Sequence, residues 1–281
     1  MIFPENLGEH LSIDETSLSK GELYTYVTNK AGKGKKGTLV ASIKGTKVKE
    51  IVEVLSKLPL EQRLKVKSIT LDMAKNMEAA VKQAFPTATL IIDHFHVARL
   101  STEALQHMRI DLRWKELENE NQAIAEARKK KIRYKAEVLT NEDTPKQLLA
   151  RSRFVLAKNE WEWTEAQKQR AKLLFKRYPE LKQAYDHVAK FRSIYRVTDR
   201  ETAKALFLEW IAQTENLKLK CFYTVANTVK FNLDNILNYF IYRLTNANAE
   251  SFNSKIKLFR ANQRGVRDVA FFQFRIATLF A

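Results

Sequence analysis

Between Gly45 and Gly265 the chain contains no glycine. Losing the commonest loop punctuation over so long a stretch favours long helices. The strand signals gather at the other end. Leu11 to Asp14 reads as a short strand, and Leu23-Tyr24-Thr25-Tyr26-Val27 as a second, rich in β-formers. The flexible basic turn Ala31-Gly32-Lys33-Gly34-Lys35-Lys36-Gly37 separates it from a third strand, Leu39 to Ile43. These three suggest an antiparallel meander.

The period then changes. Val48, Ile51, Val52, Leu55 and Leu58 mark one face of a helix that Pro59 stops. Val66 to Leu71 follows as a strand. Met77, Ala80, Val81, Ala84 and Phe85 form a second helical stripe, ended by Pro86. Thr89-Leu90-Ile91-Ile92 is nearly all apolar, as expected of a strand buried on both faces. From about residue 97 to 240 strand signals almost vanish, and charged, helix-favouring sequence carries Trp114, Trp161, Trp163 and Trp210. This block reads as an all-helical subdomain inserted before a last helix. That helix begins near Asn246 to Asn248, good N-cap residues, and runs to about Leu258 or Arg260.

The formal charge is +17, so a polyanion is the expected partner, DNA or RNA first. The run Arg128-Lys129-Lys130-Lys131-Ile132-Arg133-Tyr134-Lys135 packs six cations into eight residues. On a helix they surround it and suit DNA phosphates, although a solvated charged helix has the same composition. Trp161 and Trp163 either stack on an unpaired base or anchor a small helical core. The lone Cys221 excludes an internal disulfide and a cysteine zinc site, and reads as a buried apolar residue. No apolar stretch is long enough for a membrane span, and the first residues lack a signal peptide's order. The chain therefore reads as cytoplasmic.

Three acids stand out. Asp14 and Asp72 each close an apolar strand run, and Glu250 lies on the last helix. Each has a plain reading, as a turn former or a solvated glutamate. Together they match a two-metal phosphoryl-transfer site, in which hard oxygen ligands hold two Mg²⁺ or Mn²⁺ ions. Glu250, Asn253 and Lys257 share one face of the last helix, with Phe252, Ile256 and Phe259 roughly opposite. Asp93-His94-Phe95-His96 follows the fifth strand, with Asp93 and His96 one helical turn apart. No third and fourth ligand lie near them in sequence, so a separate zinc site is not expected. His96 then either supports the site or contacts DNA phosphate, or is merely hydrogen-bonded at a strand–helix junction.

Asp14, Asp72, Asp93-x-x-His96 and Thr245-Asn-Ala-Asn-Ala-Glu250-Ser-Phe-Asn253-Ser-Lys-Ile-Lys257 together resemble the catalytic domain of a bacterial insertion-sequence DDE transposase, most like the ISL-three family. The resemblance covers nearly the whole chain, and Asp93-His94-Phe95-His96-Val97 is its most specific element. Ser251 stands where the family pattern has glycine, and the following basic segment is loosely kept as Arg260 to Gly265.

The resemblance implies an α/β, RNase H-like mixed sheet with flanking helices and a large helical insertion. Residues 1–97 would form the first part of the catalytic domain, 98–240 the insertion, and 241–281 the helical part carrying the glutamate. It implies metal-dependent DNA cleavage and strand transfer, with Asp14, Asp72 and Glu250 as catalytic and metal-binding residues. Asp93, His96 and Asn253 would support them. Lys257, Arg128, Lys129, Lys130, Lys131 and Arg133 would contact DNA. The partners implied are transposon ends and target DNA, with a homo-oligomer on paired ends, in a bacterial, nucleoid-associated setting. Such transposases carry an N-terminal zinc-binding and helix-turn-helix region, so these residues are expected to be the catalytic part of a longer protein. The alternatives are an RNase H-like nuclease of junction-resolvase type and a non-catalytic DNA-binding protein derived from a transposase.

Overall fold

The computed structural model describes residues 1–19 and 21–281. In chain order it contains β1 (His10–Ser19), β2 (Glu22–Asn29), β3 (Leu39–Lys44), α1 (Val48–Leu55), α2 (Leu60–Arg63), β4 (Ser68–Leu71), α3 (Lys75–Ala84) and β5 (Thr89–Ile92). Then come α4 (His94–Lys129), α5 (Pro145–Arg151), α6 (Arg153–Ala157), α7 (Glu165–Arg177), α8 (Pro179–Ile194), α9 (Arg200–Asn216) and α10 (Tyr223–Phe231). The last elements are α11 (Leu233–Leu237), α12 (Tyr239–Tyr242), α13 (Ala247–Asn262) and α14 (Val269–Phe280). Two compact units emerge: Met1–His96 with Asn232–Ala281, and Val97–Phe231.

The first unit holds one sheet in the order β3-β2-β1-β4-β5. β1–β2 and β2–β3 pair antiparallel, while β1–β4 and β4–β5 pair parallel. An antiparallel meander extended by two parallel crossovers is the RNase H-like order, here interrupted by helices before its last elements.

Strand alternation gives the sheet two different faces. Leu11, Ile13, Val27, Ile69, Leu71 and Leu90 share one apolar core with Ile51, Leu55, Met77, Ala80, Val81 and Ala84 of α1 and α3. On the other face, Leu18, Tyr24, Tyr26 and Leu39 pack against Phe252 and Ile256 of α13 and Phe272 and Ile276 of α14. Tyr26 fixes this second layer by a hydrogen bond from the Gln273 amide (2.8 Å) and an edge contact with Phe252. At the β5 edge, Asn238 Nδ2 donates to the Leu90 carbonyl (2.8 Å), so the exposed ladder is capped.

β1 is longer than its apolar run. It continues through the polar Glu15-Thr16-Ser17 because each of these residues pairs with β2, so Asp14 lies within a strand and not at its end. On α13 the buried positions are Ala249, Phe252, Asn253 and Ile256, spaced i, i+3, i+4 and i+7. Asn253 therefore belongs to the buried stripe, unlike the polar face its chemistry suggests.

The second unit is helical. Trp210 is buried and stacks on His187, whose backbone carbonyl accepts its indole N–H (2.9 Å). Trp163 donates to the Val155 carbonyl (2.9 Å) and packs on Tyr185 and Phe175, so it anchors the core. Trp161 differs: it is 67% exposed, with the Arg196 guanidinium over its ring. The basic run does not lie on one helix. Lys131 takes a left-handed conformation (φ 55°) just after α4, and the Ile132 N–H bonds back to the Ala127 carbonyl. That closes the helix as a C-terminal cap does, and leaves Arg133 and Lys135 in irregular backbone. Arg128, Lys129, Lys130, Lys131 and Arg133 are all exposed. Cys221 is half-buried, not fully enclosed.

Candidate active site

The sheet register sets the site. β1 and β4 are aligned at Ser12–Thr70, and β4 and β5 at Leu71–Ile92. Two steps beyond the first pair come Asp14 and Asp72, and one step beyond the second come Asp72 and Asp93. Pleating directs in-register neighbours to the same side. Continued past these pairs, the alternation puts Asp14, inside β1, and Asp72 and Asp93, just beyond β4 and β5, toward the face opposite the Leu11–Ile69–Leu90 core.

α13 packs along β1 on that face. Asn253 Nδ2 donates to Asp14 Oδ2 (2.7 Å), while the other Asp14 oxygen accepts the Glu15 N–H (2.8 Å). Glu250 precedes Asn253 by one helical turn and is half-buried. Asp72 accepts the Ala74 N–H (2.9 Å), a local turn bond that holds its carboxylate at the start of α3. One ligand-type atom from each of Asp93, His96 and Glu250 lies within 4.8 Å of the other two. Asp14 and Asp72 lie outside that trio. The late helix therefore supplies the third group that local sequence around Asp93 lacks.

The carboxylates differ in charge environment. Burial, and then repulsion from Asp72, pushes Asp14 up to about 6. The same two causes raise Glu15. For Asp93 burial acts upward, but hydrogen bonds from His94 and His96 and from the Asn246 backbone hold it below the usual carboxylate range. His96 is raised, chiefly by its bond to Asp93, against burial and with help from Asp72 and Glu250.

Two buried polar neighbours depart from a sequence reading, which leaves Lys30 unremarked and takes Asn246 only as an N-cap. Lys30 is a buried lysine whose ammonium donates to Ser12 Oγ (2.7 Å) and to the Thr245 carbonyl. It ties the loop before α13 to β1, and burial lowers its pKa to about 8, opposed by the charge of Asp93. Asn246 is fully buried at the start of α13, and its side chain makes no capping bond. Only the burial of these polar groups marks them out, and spacing carries no sign of it. Lys257 is exposed, and among the described residues no ion pair joins it to the carboxylates.

The donor set suits a divalent cation. Asn253 is 5% exposed, and its Oδ1 has no hydrogen-bond partner although its amide nitrogen sits on Asp14. An orphaned buried acceptor beside carboxylates is what hard-cation binding leaves to be satisfied. No helix among the described residues is long and apolar enough to cross a membrane.

No curated protein matches the chain significantly. A family model described as Transposase, that of the ISL-three DDE group, matches residues 11–276. With the match running from β1 through α14, the chain belongs to the ISL-three family of DDE transposases.

Proposed function

We propose that this transposase cleaves DNA at transposon ends and joins the freed 3′-hydroxyl to target DNA, with Asp14, Asp72 and Glu250 as its catalytic carboxylates. What supports the reading is the side-by-side course of β1 and β4 up to Ser12–Thr70, just before Asp14 and Asp72, with α13 packed on β1. Asp14, Asp72 and Glu250 would hold two divalent ions, Mg²⁺ or Mn²⁺, which would supply Lewis acidity for phosphodiester cleavage and joining. Asn253 fixes the Asp14 carboxylate by its 2.7 Å bond and so orients one ligand. Asp93 orients His96 beside Glu250. Lys257 contacts the DNA backbone near the scissile phosphate. The exposed cations Arg128, Lys129, Lys130, Lys131 and Arg133 contact DNA phosphates as well.

The sheet-bearing unit serves as the catalytic body and the Val97–Phe231 unit as its insertion. The net charge of +17 suits long-lived association with DNA on the nucleoid. A homo-oligomer on paired ends is the working assembly.

The test is a labelled duplex carrying candidate terminal repeats, incubated with Mg²⁺ or Mn²⁺ and analysed for nicked and joined products. Asp72→Asn is expected to abolish both. Cleavage unchanged by that substitution would overturn the assignment. Hydrolysis without joining would favour a nuclease of the same fold.

A further inference from the structure

We propose that His96 is itself a metal ligand, so that the site is a mixed carboxylate–imidazole centre that favours Mn²⁺ over Mg²⁺ more than carboxylates alone would. The inference rests on the metal-dependent reading above and deepens it.

Three observations carry it. First, a ligand atom of His96 lies within 4.8 Å of one from Glu250 and one from Asp93, although Glu250 comes from the far end of the chain. Second, the ring nitrogen facing Asp93 is Nδ1, at 3.3 Å from Oδ2. A histidine with Nδ1 engaged by a carboxylate keeps Nε2 for another partner, and this pairing is the usual way proteins fix a ligating imidazole. Third, Asp93 is poorly suited to ligate directly. Its oxygens already face His96, His94 (3.4 Å) and the Phe95 N–H (3.4 Å), as expected of a buried orienting group.

The unpartnered Asn253 Oδ1 adds independent weight. It is a buried acceptor one turn from Glu250, held beside Asp14 by its own amide. An acceptor left open at that place suits a bound cation. Nitrogen donors suit first-row transition ions, whereas Mg²⁺ prefers oxygen.

The experiment is pulsed electron paramagnetic resonance on the whole protein with Mn²⁺ added alone. The expected result is bound Mn²⁺ whose echo modulation contains a directly coordinated ¹⁴N. That signal changes when histidine is labelled with ¹⁵N, disappears in His96→Gln and survives in His94→Gln. His96→Gln is also expected to weaken Mn²⁺ about 10–100-fold while weakening Mg²⁺ less. Asp72→Asn and Glu250→Gln locate the ion at this site. If Mn²⁺ binds in an Asp72-dependent way without nitrogen coupling, the ligand role of His96 is overturned while the carboxylate reading stands. If no Mn²⁺ binds, or binding ignores Asp72→Asn, both fail. Should His96→Gln not fold, the unsubstituted protein decides the matter, because absence of ¹⁴N coupling there overturns the proposal.

Discussion

Asp14 and Asp93 flank Asp72 in strand order, yet their surroundings pull them in opposite directions. Around Asp14 there is one side-chain amide, one backbone N–H and a neighbouring carboxylate, and its proton is held to about 6. Around Asp93 there are two histidines and two backbone N–H groups, and its proton is given up early. Burial penalises both, so the difference lies in donors. A carboxylate with its lone pairs taken is a scaffold, and one left short of positive charge is a ligand awaiting a cation. On the proposed mechanism this contrast makes β1 the ligating end and β5 the orienting end.

The sharpest way to break that division is catalytic. Asp14→Asn is expected to reduce DNA cleavage on the order of 10³-fold or more, because it removes one of the proposed catalytic carboxylates. Asp93→Asn should cost only about 10–100-fold, recoverable with more metal, as is usual for groups that orient a ligand. Equal and unrecoverable losses in a steady-state cleavage assay would erase the distinction.

Stability provides a second contrast, with opposite signs. For Asp14 the folded pKa lies near 6, against 3.8 for the free side chain. The folded state therefore holds the extra proton between those values, and stability falls as pH rises through that window. Asp14→Asn should stabilise the metal-free protein at pH 7 by about 1–2 kcal/mol, allowing for partial exposure. The gain should fade below about pH 4, where Asp14 is protonated in both states. Asp93 runs the other way: its folded pKa is depressed, so its contribution is present above the unfolded value and lost on acidification. Asp93→Asn should therefore lower the denaturation midpoint at neutral pH. Urea titrations across pH check both signs.

The smallest effect concerns Lys257, on the same helix as Glu250 but exposed. Lys257→Ala should weaken DNA binding evenly across sequences and reduce the slope of log affinity against log salt by about 1. A sequence-selective loss would instead make it a base reader.

Much of this arrangement was legible in the chain. β4, β5, α1 and α3 follow from their apolar periods, and Asp72 and Asp93 stand out because their strands stop just before them. Asp14 was recognisable as an acid beside an apolar run, but not its place within a strand. Glu15-Thr16-Ser17 becomes strand only by pairing with β2, a tertiary event. Cross-strand register is likewise invisible to periodicity, so the alignment of β1 with β4 and of β4 with β5 had to be observed. The buried Asn253 was placed on a polar face, and the buried Lys30 drew no notice, because residue type speaks for solvent and only packing overrules it. Composition also cannot separate Trp163 in its core from the exposed Trp161.

The bond between Asn253 and Asp14 joins residues 239 positions apart, and Lys30 meets Thr245 across 215. On the ribosome this means that the aspartates emerge long before the helix that carries Glu250 and Asn253. A growing chain carries Asp14, Asp72 and Asp93 through the synthesis of the entire helical unit without Glu250. On the proposed assignment of Glu250, DNA-breaking capacity is withheld until α13 has been made and has docked on β1. On that assignment, a chain that ends before this helix lacks one of the three catalytic carboxylates.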